Sequence, residues 1–363
     1  MRGARQRAAG RSVVNTKAGR LKELLGVDDP IVLGPFGGVS SVSLTAAVSE
    51  FGGLGSYGLY GYQPERIAQT IREIRAKTDR PFAVNLWLPT GDEVAPSDIR
   101  LAPYLHSLAP LYASVGVPLP ETPHAFLPDF NDQLDAVFEA SPAVLSLVYG
   151  VPSASLLDAA RSRGIRVIGA ATTVDEAIAL DASGVDAIVA TGFEAAGHRV
   201  SFLRAPGDSL VGIFALVPQV VDAVSVPVIA AGGIADRRGV AAALALGADG
   251  VQVGTAFLRT RQSGASDAYR QAIGTVGEVG TVLTRAMSGR LSRGIANHAV
   301  TAIEAADMIA PFPAQNWLTG QFRTEAARVG RADLLSLWAG QAAPLTSTRD
   351  ARDVYDELRH GLG

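Results

Sequence analysis

The chain has 363 residues, 48% of them hydrophobic and 18% charged, with 39 glycines and a formal net charge of −3. That is the composition of an α/β protein with a large buried core, and its charge offers no footing for nucleic acid or an anionic membrane surface. No cysteine is present, which excludes disulfides, thiolate metal ligands and cysteine nucleophiles together.

Residues 1–20 carry six Lys or Arg and no acid. They read as a basic, disordered extension, because the apolar core of a secretory signal is missing. A short entry helix is expected over 21–25, then a first strand over 31–33 that ends in Gly34-Pro35-Phe36-Gly37-Gly38. A helix follows over 43–50, with Ser43 as its cap. The second strand is expected over 54–56, and Pro64 opens an amphipathic helix to Lys77 with Ile67, Ile71 and Ile74 on one face.

The third strand, 82–86, contains Asn85. Residues 89–131 then hold eight of the chain's 20 prolines and read as an irregular insertion long enough to cover a site. Alternation resumes beyond it. Strands are expected over 144–147, 167–168, 187–190, 228–231 and 250–253, with helices over 153–163, 174–183, 217–224 and 236–246. No apolar run is long enough to span a bilayer, since the longest, 223–235, is broken by Pro227, Gly232 and Gly233. The five histidines show no metal-ligand spacing, so no metal site is expected.

Eight strand candidates joined by crossovers predict a (β/α)8 TIM barrel over 21–261, with the insertion 89–131 after strand three. A doubly wound open sheet is the alternative. The strand count, and glycines falling at the strand carboxyl ends, favour the barrel. Residues 262–363 read as a C-terminal helical addition packed on it, with Met287 to Gly294 as a polar, basic centre.

Gly53-Leu-Gly-Ser-Tyr-Gly58 matches a dinucleotide fingerprint by letter, but its glycines enclose a strand instead of joining a strand to a helix. The glycine pairs at the ends of the last two strands carry more. Gly232 and Gly233, and the run Gln252-Val253-Gly254-Thr255, would lie side by side in a closed barrel. Their backbone N–H groups, with a helix amino terminus, would form a phosphate cradle. A ligand anchored there would extend toward Pro35, Phe36 and Gly37 and toward Asn85, whose amide can donate to and accept from a heteroaromatic ring edge. His198, in the loop after the sixth strand, would face the open side of such a ring. A lone histidine most often just bonds a backbone carbonyl, and it is this placement that makes His198 a candidate base.

Pro35-Phe-Gly-Gly-Val39, Pro81-Phe-Ala-Val-Asn-Leu86, Gly192-Phe-Glu-Ala-Ala-Gly-His198, Ala230-Ala-Gly-Gly-Ile234 and Gln252-Val-Gly-Thr255 resemble, in order, the nitronate monooxygenases, formerly 2-nitropropane dioxygenases. The resemblance runs from about Leu24 to Gln341. It implies an FMN-containing barrel that oxidises an alkyl nitronate or nitroalkane with O2 to a carbonyl compound and nitrite, and it matches His198 to the family's catalytic base. It also implies FMN contacts at Asn85, Gly233 and the segment Gln252 to Thr255, with Thr191 and Ala196 lining the flavin. Two departures stand out: Ala196 replaces the first of a usual glycine pair, and Thr191 stands where many members carry Gln.

The same fold and motifs occur in flavin-dependent enoyl-acyl-carrier-protein reductases that use NAD(P)H. No second nucleotide fingerprint is visible, which leans toward oxidation by O2. The expected partners are a small-molecule substrate and O2, with no nucleic acid and no membrane. A homodimer is left open, and the expected compartment is the cytoplasm.

Overall fold

The computed structural model describes residues 19–347 and 349–363. Most of the basic extension expected over 1–20 lies outside the described residues. Residues 19–25 are helical (α1). The elements that follow are β1 (Ile31–Leu33), α2 (Val42–Glu50), β2 (Gly55–Gly58), α3 (Pro64–Arg75), β3 (Phe82–Trp87), α4 (Ala102–Ala113), α5 (Phe130–Ala140), β4 (Val144–Val148), α6 (Ala154–Ser162), β5 (Arg166–Ala171), α7 (Val174–Ser183) and β6 (Ala187–Thr191). After the two-residue strand β7 (Gly197–His198) come α8 (Ile213–Ala223), β8 (Val228–Ala231), α9 (Arg237–Ala245) and β9 (Gly250–Val253).

Eight parallel strands form one sheet in the order β1-β9-β8-β6-β5-β4-β3-β2. The ring closes between β1 and the residue before β2, where Leu54 donates to the Ile31 carbonyl and accepts from Leu33 N–H, both at 2.9 Å. The expected barrel is therefore present. Its strands were legible because both faces are buried, which makes each an apolar run. Val32, Ala83, Ile168 and Ile229 point into a separate inner cluster, together with Leu21 and Leu25 of α1. Arg20 pairs with Asp249, just before β9, at 3.1 Å, so α1 stoppers the barrel at the amino ends of its strands. The carboxyl ends stay open for a site.

Several boundaries moved for local reasons. The cap of α2 is Ser41, whose hydroxyl accepts from Leu44 N–H, not Ser43. The false fingerprint glycines are packing residues: a Cβ at Gly55 would meet the Thr45 carbonyl at 2.0 Å, and one at Gly58 the Phe36 carbonyl at 2.8 Å. The insertion is not irregular throughout, because α4 and the start of α5 fall within it. It buttresses the C-terminal part, with Tyr112 donating to the Leu318 carbonyl (2.5 Å) and Val94 N–H to that of Phe312 (3.2 Å).

The C-terminal part contains α10 (Thr255–Leu258), α11 (Asp267–Thr275), β10 (Thr281–Thr284), β11 (Ser292–Ile295), α12 (His298–Ala305), α13 (Ala314–Arg328) and α14 (Ala351–Arg359). It is not purely helical, as β10 and β11 form a hairpin whose second strand pairs antiparallel with β7. The basic centre Met287 to Gly294 spans the turn and most of the second strand of that hairpin. In this register Ser292 lies opposite His198.

Candidate active site

A cavity of about 350 Å³ opens at the carboxyl ends of the barrel strands, within the range of small-molecule sites. Pro35, Phe36, Gly37, Asn85, Thr191, Ala196, His198, Gly232, Gly233, Gln252, Gly254 and Thr255 all line it. Val253 does not. It is 1% exposed and belongs to the outer core, because alternate residues of a strand point to opposite faces. The 89–131 insertion contributes no lining residue, so its expected covering role becomes one of support.

The glycine turn after β8 takes left-handed backbone. Gly232 and Gly233 hold φ of +116° and +67°, backbone that L side chains rarely adopt. A Cβ at Gly233 would come no nearer than 3.7 Å to Glu194, an ordinary contact distance. The helix terminus beside it is occupied, with Asp236 capping α9 through Arg238 N–H. The turn after β9 enters α10 with no side-chain cap.

Asn85 is more specialised than its amide alone suggests. Its Nδ2 donates to the carbonyl (3.1 Å) and hydroxyl (3.2 Å) of Ser146, which leaves the side-chain carbonyl oxygen as an acceptor at the cavity wall. Ala196 is absent from the residues with positive φ, whereas Gly197 takes φ of +77°. The alanine therefore sits on ordinary backbone, and the glycine after it makes the bend. The other charged residues of this loop are structural. Glu194 accepts from Ile213 N–H (3.0 Å) at the start of α8, and Arg199 donates to the Gly192 (2.7 Å) and Ser209 (3.1 Å) carbonyls.

His198 lies half-buried on the cavity wall. Its Nε2 is 2.8 Å from Ser288 Oγ, and its ring packs edge-on against Trp87 at 4.9 Å and near Trp338 at 5.4 Å. Ser288 Oγ accepts from Arg290 N–H (3.2 Å) and lies 3.1 Å from the Arg290 carbonyl. With its one proton on that carbonyl, Nε2 donates and Nδ1 keeps the lone pair. Among the described residues no carboxylate supports the imidazole. Burial, then the charges of Arg290 and Arg323, push its pKa down to about 3, so the ring is neutral throughout the ordinary working range.

Unfolding must then take up a proton at His198 between pH 6.5, its ordinary value, and about 3. The unfolded state binds more protons in that window, so stability contributed by the neutral ring is lost as pH falls through it. Urea midpoints should therefore drop more steeply below pH 6.5 for the native chain than for His198→Asn. Parallel curves would refute the depressed ionisation.

Tyr60, Trp87, Ser288, Phe312, Asn316, Arg323 and Trp338 were not legible as site residues. Tyr60, Trp87, Phe312, Asn316, Arg323 and Trp338 line the cavity, while Ser288 bonds His198 from behind it. Arg323 donates to Ser336 Oγ (2.5 Å) and to the carbonyl and Oδ1 of Asn316 (both 2.9 Å). Among the described residues it has no ion-pair partner, and its Nε finds no acceptor. Burial pushes its pKa down to about 10, so it remains a cation at neutral pH. Arg285 is exposed, whereas Arg293 is buried and donates to the Phe193 carbonyl at 2.9 Å.

A nitronate monooxygenase family model matches residues 18–360. The chain belongs to that family. A probable nitronate monooxygenase of Staphylococcus aureus (strain Newman) is 38% identical over 349 residues, covering 93% of this chain and 96% of that one. The solved structure of a nitroalkane oxidase from Streptomyces ansochromogenes superposes with a TM-score of 0.84 at 33% identity, over 94% and 97% of the two chains. FabK from Thermotoga maritima superposes at 0.74 with 29% identity, over 94% and 95%. This member of the nitronate monooxygenase family is an oxidoreductase on a TIM barrel. Among its described residues, no helix is long and apolar enough to cross a membrane.

Proposed function

We propose that this chain oxidises an alkyl nitronate with O2 to a carbonyl compound and nitrite, using bound FMN, with His198 as the base that admits neutral nitroalkanes. The observation that carries the reading is that one cavity is lined by both a neutral histidine and a guanidinium, Arg323, with no ion-pair partner among the described residues. A nitronate is an anion, and a cation in a partly dry site attracts it far more strongly than water-exposed charge would.

The residues present fit the flavin. The left-handed turn at Gly232 and Gly233, with the uncapped turn at Gly254, supplies backbone N–H groups for its phosphate. Asn85 keeps an acceptor for a ring N–H. Pro35, Phe36, Gly37, Thr191, Ala196, Gln252 and Thr255 complete the lining. When bound, FMN supplies the electron acceptance that passes substrate electrons to O2. The chain itself orients the anion at Arg323, takes a carbon-bound proton at the imidazole lone pair, and limits water with Trp87, Phe312 and Trp338.

The test is direct. Purified, flavin-loaded protein mixed with a pre-formed nitronate in air should consume O2 and release nitrite. Rapid flavin reduction by NADPH without O2, together with turnover of an enoyl thioester, would instead establish the reductase alternative. Cytoplasmic location and a homodimer belong to the same proposal; fractionation and light scattering test them.

A further inference from the structure

Arg290 lies in the turn of the β10–β11 hairpin, outside the residues that face the cavity. Its side chain is only 11% exposed. Nη2 reaches the loop after β3, where Thr90 Oγ1 (2.5 Å), Asp92 Oδ1 (2.6 Å) and Glu93 Oε1 (2.8 Å) all accept from it. The guanidinium also lies over the rings of Phe312 (3.9 Å) and Tyr149 (4.6 Å).

Tyr149 is held at φ +74°, uncommon for a bulky residue, and its buried hydroxyl has no hydrogen-bond partner among the described residues. Its conformation keeps the ring between Arg290 and Trp87, whose own ring packs on His198. On the other side, the backbone N–H and carbonyl of Arg290 flank Ser288 Oγ, the atom bonded to His198 Nε2. One residue therefore grips the imidazole from two directions, through its hydroxyl partner and through the aromatic wall behind it.

We propose that Arg290 is a positioning residue for His198: by tying the β3 loop to the hairpin turn it holds Ser288 and Trp87, and with them the imidazole, in place at the cavity wall. This rests on the reading of His198 as the base. The charged and titratable groups around the assembly are Arg290 and Arg323 facing His198, and Asp92, Glu93, Tyr60 and Tyr149 facing Arg290. The positive charge of Arg290 also opposes protonation of the ring.

The experiment compares flavin-loaded native chain with Arg290→Met and Arg290→Lys, using nitroethane and its pre-formed nitronate across pH. Alongside, 15N NMR of labelled histidine reads the His198 tautomer and titration. Arg290→Met should lower kcat on nitroethane about 10- to 100-fold, as displacement of a catalytic group does, with KM within about twofold. Its acid limb should move up toward the ordinary histidine range, because the neighbouring cation is gone. Arg290→Lys keeps the charge and loses the planar fork, so the limb should stay while kcat falls about 10-fold.

An unchanged kcat and pH profile in Arg290→Met, or an equal loss on both substrates with an unshifted His198 signal, overturns the proposal. If Arg290→Met does not fold, Arg290→Lys decides alone, and native kcat there overturns it. Failure of the base reading shows differently. His198→Asn would then turn over nitroethane normally, while the NMR signature still reports whether Arg290 holds the ring.

Discussion

Replacing His198 by Asn is expected to slow turnover of a neutral nitroalkane by about 10²- to 10⁴-fold, the usual worth of a positioned general base. Turnover of the pre-formed nitronate should fall far less, because that substrate arrives without the proton. Asparagine retains a group able to bond Ser288 Oγ, which lies 2.8 Å from Nε2 in the native chain. It gives up the basic nitrogen and the ring packed against Trp87 at 4.9 Å. Steady-state kcat and KM for the two forms of one compound measure the contrast. Equal losses would place His198 in binding, and no loss on either form would remove it from the chemistry.

The same site limits how good a base the histidine can be. Burial, then two guanidiniums nearby, disfavour the imidazolium, and no carboxylate among the described residues supports it. Proton removal from a neutral substrate is correspondingly harder, whereas the cations assist an anion already formed. We therefore expect the native enzyme to prefer the nitronate.

Gly233→Val should cost the protein its flavin. The position holds φ of +67°, where a β-branched residue adds about 1–2 kcal/mol of backbone strain. Its side chain would also project beside the turn proposed to hold the phosphate. We expect the flavin dissociation constant to rise at least tenfold and the purified variant to be largely colourless. The nearest atom to an added Cβ is 3.7 Å away, so the barrel should fold and keep its circular dichroism. Gly164→Val is the control, with φ of +70° and nothing within 4 Å. Equal flavin loss in both variants would show that strain alone is responsible.

The eight strands were readable because a parallel barrel buries both faces of each strand, and burial writes itself as short apolar runs between glycines. Helices were readable where a cap or proline stands at the first turn, as at Ser153, Thr173 and Pro64. Helix α4 was hidden by Pro103 at its start and Pro110 inside it, and α8 was clipped at the front, with Pro218 at mid-helix. In both, packing outweighs the hydrogen bond that proline removes. The β10–β11 hairpin was missed because its partner, β7, lies more than 80 residues away, and local pattern carries no information about such pairing.

By itself the sequence determined the barrel, the glycine turns at its mouth and the loop that carries His198. These follow from periodicity and backbone freedom, which are local properties of the chain. The tertiary structure alone decided what surrounds the histidine: Ser288 on its Nε2, Trp87 and Trp338 at its ring, Arg323 at the cavity with no ion-pair partner among the described residues, and Arg290 pinned to the β3 loop. Apart from Trp87, these residues come from beyond the last barrel strand. Burial among them, and then the charges of Arg290 and Arg323, set the protonation state of His198, and these act through space, where sequence spacing does not count.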